Sequence, residues 1–180
     1  MSNQLKPLDF YNTYKKTLDE WQINVIKNLD KGNSVLVSAP TSCGKTWLSL
    51  YPGIQNKKIL FIVPTEALVF QVGALFSKFV GQPTLISENI FYVANNNIVV
   101  GTPKAIEDNL PIITTKFDII IIDEIHNLNN LKIHHFYERI LKIFSDTQLL
   151  ALSATIGEPR SLIKWLRKIG YSDIKLITYN

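Results

Sequence analysis

Eight residues, Ala39-Pro40-Thr41-Ser42-Cys43-Gly44-Lys45-Thr46, have the types and order needed to hold a phosphate. They follow directly on Ser34-Val-Leu-Val-Ser38, an apolar run of buried-strand type. The stretch fits the phosphate-loop pattern G-x-x-x-x-G-K-S/T, with Ala39 in place of the first glycine. A chain leaving a buried strand must wrap round the anion with its N–H groups inward, and Thr41, Ser42, Cys43 and Gly44 are small enough to allow that approach. The helix that starts here aims its positive end at the same point. Lys45, expected in a solvated phosphate site, would bridge the β- and γ-phosphates, and the Thr46 hydroxyl would hold Mg²⁺. These residues make ATP and Mg²⁺ the expected ligands.

Asp118-Ile-Ile-Ile-Ile-Asp123-Glu124-Ile125-His126 forms a second constellation. The isoleucines make a central strand, and two carboxylates close its carboxyl end, where an open α/β sheet binds its ligands. Carboxylates there are costly to bury unless a cation or hydrogen bonds meet them. A Mg²⁺ held through Asp123 answers that charge, and Glu124 can then accept a proton from an attacking water. Either constellation alone has a bland reading, a chance Gly-Lys-Thr or an acidic turn; each makes the other informative. The histidines give no metal site by spacing, since His134 and His135 are adjacent and diverge on a helix, and His126 stands apart. Cys43 is the single cysteine, so no intrachain disulfide forms.

The elements that must position these groups are legible as alternating patterns. Uniformly apolar runs at 34–38, 58–63, 97–100, 118–123, 149–153 and 174–178 read as strands covered on both faces, hence a parallel sheet. Helical spacing joins Leu18, Trp21, Val25, Ile26 and Leu29, up to a stop at Lys31-Gly32. Further helices are expected over 66–79, 104–109 and 158–169, and a stripe of Ile133, Phe136, Tyr137, Ile140 and Phe144 marks another. Strands alternating with helices give an α/β fold with a mostly parallel central sheet and helices on both faces. One domain over 1–180 suits the length, and an apolar content of 46% excludes disorder as the main state. The net charge of +4 permits a nucleic-acid partner without showing one. With neither an apolar leader core near the start nor a run long enough to span a bilayer, a cytoplasmic or nuclear protein with no membrane partner is expected.

Taken in order, these motifs resemble the first RecA-like lobe of superfamily-two helicases of the DExH-box class, over nearly the whole chain. Leu18-Asp19-Glu20-Trp21-Gln22 is similar to the family's Q-type motif, which implies that Gln22 reads adenine. Ala39 to Thr46 resembles motif I in its Ala-Pro-Thr form, so Ala39 is a family variant. Val63-Pro64-Thr65-Glu66 resembles motif Ia and Gly101-Thr102-Pro103-Lys104 resembles motif Ib. Asp123-Glu124-Ile125-His126 resembles motif II, and Ser153-Ala154-Thr155 motif III. The wording is similar to the branch of exosome-associated and antiviral-sensor RNA helicases. The resemblance implies a P-loop, RecA-like ATP-binding domain of a helicase, a nucleic-acid-stimulated ATPase. It implies that Pro64, Thr65, Gly101, Thr102 and Pro103 grip the backbone of single-stranded nucleic acid, by resemblance RNA. It also implies that His126, Ser153 and Thr155 link that face to the nucleotide.

One departure matters. The family engine sandwiches ATP between two RecA-like lobes, the second of which supplies arginine fingers. That lobe is absent from this chain, and its arginines, Arg139, Arg160 and Arg167, form no arginine-rich motif. The expectation is a single N-terminal ATP-binding lobe of a longer protein, nearly inactive in isolation. The alternative is a one-lobed module that binds nucleotide or nucleic acid without helicase activity of its own. A small nucleotide kinase would want a lid and clustered arginines, which this sequence lacks.

Overall fold

The computed structural model describes residues 17–41, 43–113, 116–129, 134–154 and 159–179. Eight strands form one sheet: β1 (Val35–Ser38), β2 (Ile59–Ile62), β3 (Pro83–Ile86), β4 (Phe91–Tyr92), β5 (Asn95–Gly101), β6 (Ile119–Ile122), β7 (Gln148–Ser153) and β8 (Lys175–Thr178). Their order is β4-β3-β5-β2-β6-β7-β1-β8. Every neighbouring pair is parallel except β3 with β4. The helices are α1 (Glu20–Asp30), α2 (Lys45–Ile54), α3 (Glu66–Phe79), α4 (Pro103–Asn109), α5 (His134–Ile143) and α6 (Pro159–Ile169), with a 3-10 helix at Ile125–Asn129.

The apolar runs have a simple cause. Successive side chains of a strand point to opposite faces, so a strand covered on both sides needs apolar residues throughout. Ile119 and Ile121 enter the core under α1, α2 and α3, whereas Ile120 and Ile122 enter the core under α4, α5 and α6. All four are fully buried. Each contributes roughly 1.5–3 kcal/mol relative to exposure. Together they offset the several kcal/mol that burying a carboxylate at the end of the same strand costs.

All six expected strands and the expected helices are present. The stripe on α5 needs one revision. Tyr137, Ile140, Leu141 and Phe144 are buried, while Phe136 is half-exposed and Ile133 lies outside the described residues. Sequence reasoning found no sign of β3 and β4. Both lie at one end of the sheet, β4 at its edge and β3 beside it, and β3 opens with a proline, a residue tolerated at the first position of a strand. Among the described residues no helix is long and apolar enough to cross a membrane.

Candidate functional site

Three neighbouring strands bring the nucleotide residues together. β1, β7 and β6 lie side by side, and their carboxyl ends carry the phosphate loop, Ser153 and Asp123. Ser38 pairs with Ser153 and Ile122 with Ala151. The Ala39 N–H donates to the Ser153 carbonyl at 3.2 Å, so motif I leaves the sheet tied to motif III.

Lys45 departs from expectation. It is not solvated but buried at 4% exposure, and its Nζ donates to the carbonyls of Ala39 at 2.6 Å and Pro40 at 2.7 Å. The physical reason is local. An ammonium has three donors, and the reversal out of β1 turns two carbonyls to within its reach. To meet a phosphate, Lys45 must exchange these carbonyls for phosphate oxygens. Cys43 is half-buried and its thiol donates to the same Pro40 carbonyl at 2.8 Å. Thr41 is exposed and Thr46 half-buried, while Ser42 lies outside the described residues.

Gly44 caps α2 with φ +84°, a left-handed conformation that favours glycine. A Cβ there would also sit 3.2 Å from Gln22 Nε2. Gln22 is 6% exposed and serves two elements at once. Its Oε1 accepts the Asp19 N–H at 2.9 Å, closing the first turn of α1, and its Nε2 donates to the Cys43 carbonyl at 3.3 Å. The Q-type residue therefore braces the phosphate loop, leaving one amide N–H and one carbonyl lone pair for other use.

Asp123 is 8% exposed. Its Oδ1 accepts the Glu124 N–H at 2.9 Å, and its own N–H donates to the Ile62 carbonyl at 3.0 Å. Burial first, and the Glu124 charge second, push its carboxyl above the ordinary carboxylate range, against the pull of the Glu124 hydrogen bond and of Lys45 and His126. Glu124 adopts φ +56°, a conformation that costs an L-residue roughly 1–2 kcal/mol. That turn aims its side chain at His126, whose Nε2 lies 3.0 Å from Glu124 Oε2. The Ala154 N–H donates to His126 Nδ1 at 3.3 Å, with Ser153 Oγ also at 3.3 Å. A backbone N–H can only donate, so Nδ1 is the acceptor and the ring proton sits on Nε2, facing Glu124. His126 thus joins motif II to motif III; of the two residues the resemblance pairs with it, Ser153 is its neighbour here and Thr155 lies outside the described residues.

The donors suit Mg²⁺. A hard, six-coordinate cation takes one or two protein oxygens and fills the rest with phosphates and water. Asp123 supplies a carboxylate whose burial disfavours its charge unless a cation answers it, and Thr46 a half-buried hydroxyl. Among the described residues no cluster of three or more His, Cys, Asp or Glu could hold a metal alone.

The residues expected to meet nucleic acid sit on the neighbouring half of the same edge. The Val63 N–H donates to the Gly101 carbonyl at 3.1 Å, joining motifs Ia and Ib. Thr65 is exposed and caps α3, its Oγ1 accepting the Leu68 N–H at 3.4 Å; Pro64 is half-buried. Gly101, Thr102 and Pro103 are buried. A Cβ on Gly101 would lie 2.7 Å from the Ile86 carbonyl oxygen, which requires glycine there for packing alone. The Thr102 hydroxyl donates to Glu88 Oε2 at 3.1 Å. Ser87 Oγ and, at 3.1 Å, Asn89 Nδ2 donate to Glu66 Oε2 and hold that carboxyl below its ordinary range. The 87–89 loop is therefore bonded to both motifs and brings one acidic side chain, Glu88, to motif Ib. Sequence reasoning missed this loop, because it follows a strand that was itself unrecognised.

Comparison with known proteins agrees with this arrangement. A probable ATP-dependent helicase of Methanocaldococcus jannaschii is 31% identical over 88% of this chain and 22% of its own length. An uncharacterized helicase of Caenorhabditis elegans is 27% identical over 89% of this chain and 11% of its own. The chain thus spans a quarter or less of these relatives. The crystal structure of a hypothetical ATP-dependent RNA helicase from Sulfolobus tokodaii superposes with a TM-score of 0.79 at 22% identity, over 99% of this chain and 57% of that one, which establishes the RecA-like fold. The family model for DEAD/DEAH box helicases matches residues 19–162, from the brace at Asp19 and Gln22 past motif III. The chain belongs to the DEAD/DEAH box helicase family.

Proposed function

We propose that residues 1–180 form the ATP-binding lobe of an ATP-dependent RNA helicase, of the branch containing exosome-associated and antiviral-sensor helicases, which works with a second RecA-like lobe in the longer protein. The observation that carries this reading is the junction of three strand ends. A phosphate loop, a buried carboxylate and a Glu124–His126–β7 bridge meet at β1, β6 and β7. In this assignment Gln22 and the loop from Thr41 to Thr46 bind the nucleotide, and Thr46 with Asp123 hold Mg²⁺, which neutralises phosphate charge. Glu124, fixed through one oxygen by His126, presents the other to the attacking water. The strand ends that carry Pro64, Thr65, Gly101, Thr102 and Pro103 face single-stranded RNA, whose phosphates are gripped without regard to base sequence.

Calorimetric titration with ATP–Mg²⁺, run beside melting curves, tests the nucleotide half. Lys45→Ala is expected to weaken binding at least about tenfold, the loss of a charge-assisted hydrogen bond of roughly 1.5–3 kcal/mol. The same change takes a donor from the Ala39 and Pro40 carbonyls, of which Pro40's keeps its Cys43 donors, so stability should also fall, by about 1–3 kcal/mol. Unchanged ATP affinity in a folded Lys45→Ala protein contradicts the assignment.

The 87–89 loop yields a test of the RNA half. Glu88 holds the Thr102 hydroxyl, and a phosphate arriving there meets a like charge. One unit charge at 4 Å is worth about 1 kcal/mol in water, so Glu88→Gln should raise affinity for a short single-stranded RNA about fivefold at low salt. The gain should shrink as salt rises. Binding to Glu88→Gln that equals the parent at every salt concentration places the RNA elsewhere.

A further inference from the structure

Tyr137 lies on α5 with its side chain fully buried. It belongs to the core cluster that holds Ile122 and Ile125, the side chains directly before and after the carboxylate pair. Its hydroxyl is buried and meets no hydrogen-bond partner among the described residues. Native interiors pair nearly all buried polar atoms, so an orphan calls for a reason. Packing alone gives none, because phenylalanine would fill the same space without the polar atom. Nor does this layer force a phenol to go unpaired. Tyr171, in the same cluster, donates to the carbonyls of Leu141 at 3.2 Å and Phe144 at 3.0 Å. The charges that act on Tyr137 are those of Asp123 and Glu124, which add to burial in raising its pKa. Among the described residues, Asp123 in turn accepts one hydrogen bond, from the Glu124 N–H. A buried donor without an acceptor thus shares a core cluster with the residues flanking a buried carboxylate that has acceptor capacity to spare.

We propose that Tyr137 is a positioning residue for the metal-binding carboxylate: its hydroxyl donates to Asp123 through one buried water and fixes the carboxylate's orientation towards a divalent cation. This rests on Asp123 being the Mg²⁺ ligand. Groups hydrogen-bonded behind a ligand orient it, and losing them typically costs about 10–100-fold in metal affinity. The hydroxyl does not touch the nucleotide. It acts through Asp123, so its effect should follow Mg²⁺.

The test is Tyr137→Phe in the 180-residue chain. Binding of a fluorescent ATP analogue is titrated with Mg²⁺ and in EDTA, and melting curves are recorded without ligand. The Mg²⁺ concentration at half-effect should rise about tenfold. Affinity in EDTA should stay unchanged, and the variant should stay folded, since phenylalanine fills the same space. An unchanged Mg²⁺ requirement in the folded variant overturns the proposal. So does an equal loss of affinity with and without Mg²⁺, or a lowered melting temperature with the Mg²⁺ dependence intact, because either shows a packing role. If the parent chain binds the analogue without regard to Mg²⁺, the reading of Asp123 itself fails, and Tyr137's role with it. A parent that responds to Mg²⁺ beside a variant that responds equally removes Tyr137 alone.

Discussion

Replacing Asp123 by Asn should make the protein more stable and remove the Mg²⁺-dependent part of its nucleotide binding. Asp123 is nearly inaccessible, and its carboxyl is raised above the ordinary range by burial and by Glu124. The folded state therefore takes up a proton at a higher pH than the unfolded chain does. Stability from this group is fullest below the unfolded value, about 3.9, and declines as pH rises through the raised folded value. Above that folded value the ionised carboxylate is a cost held for function. Asparagine keeps an oxygen for the Glu124 N–H and carries no charge. The gain expected is about 1–3 kcal/mol, within what replacing buried charge delivers, or roughly 2–10 °C in melting temperature at this chain length. Melting curves at pH 5 and pH 8 measure it: the parent should trail Asp123→Asn at pH 8 and close part of the gap at pH 5. Comparing the two proteins at each pH cancels Glu66 and Glu138, whose lowered carboxyls run the other way. A variant that melts below the parent at pH 8 contradicts this account.

Turnover by the 180-residue chain should lie about 10³–10⁵ below that of a two-lobed relative, the worth of an arginine finger. Within this lobe Arg139 is clamped in two-point contact to Glu107, with Nη2 at 2.9 Å, and Arg167 donates to the Ile174 carbonyl at 3.3 Å. Both guanidinium groups are committed to structure. Single-turnover hydrolysis of labelled ATP, with and without single-stranded RNA, reads the rate. Fast RNA-stimulated turnover, abolished by Glu124→Gln, would show that one lobe suffices. Slow turnover that RNA stimulates only when a second lobe is supplied supports the two-lobed engine over a self-standing binding module.

Much of the fold could be read in advance because buried parallel strands are apolar on both faces, and Ile119 to Ile122 state this in four letters. β3 and β4 could not be read, since short strands at the end of a sheet are defined by their neighbours more than by their own composition. The phosphate loop and the Asp123–Glu124 pair were legible because their chemistry demands particular residues at a particular spacing. The burial of Lys45 was not, because nothing in the motif says which carbonyls the loop turns inward. The stripe on α5 was legible as packing, but periodicity cannot distinguish a phenol that packs from one that also donates. The bridge from His126 to β7 depends on residues far apart in the chain, and only the family resemblance pointed to it.

The strand order has a consequence for how two anions on one lobe can communicate. β5, which leads into Thr102, and β1, which leads into the phosphate loop, are separated by β2, β6 and β7. Adjacent strands lie about 4.8 Å apart, so the two strand ends are roughly 19 Å from each other along a single continuous sheet. At physiological ionic strength the Debye length is about 8 Å. Between solvent-exposed phosphates at those two places, more than two screening lengths intervene, and the direct repulsion is largely quenched. Under the proposed assignment, ATP and RNA can thus occupy the same edge without excluding one another. By the same token neither can sense the other by charge, so any influence between them must be carried as movement of packed atoms.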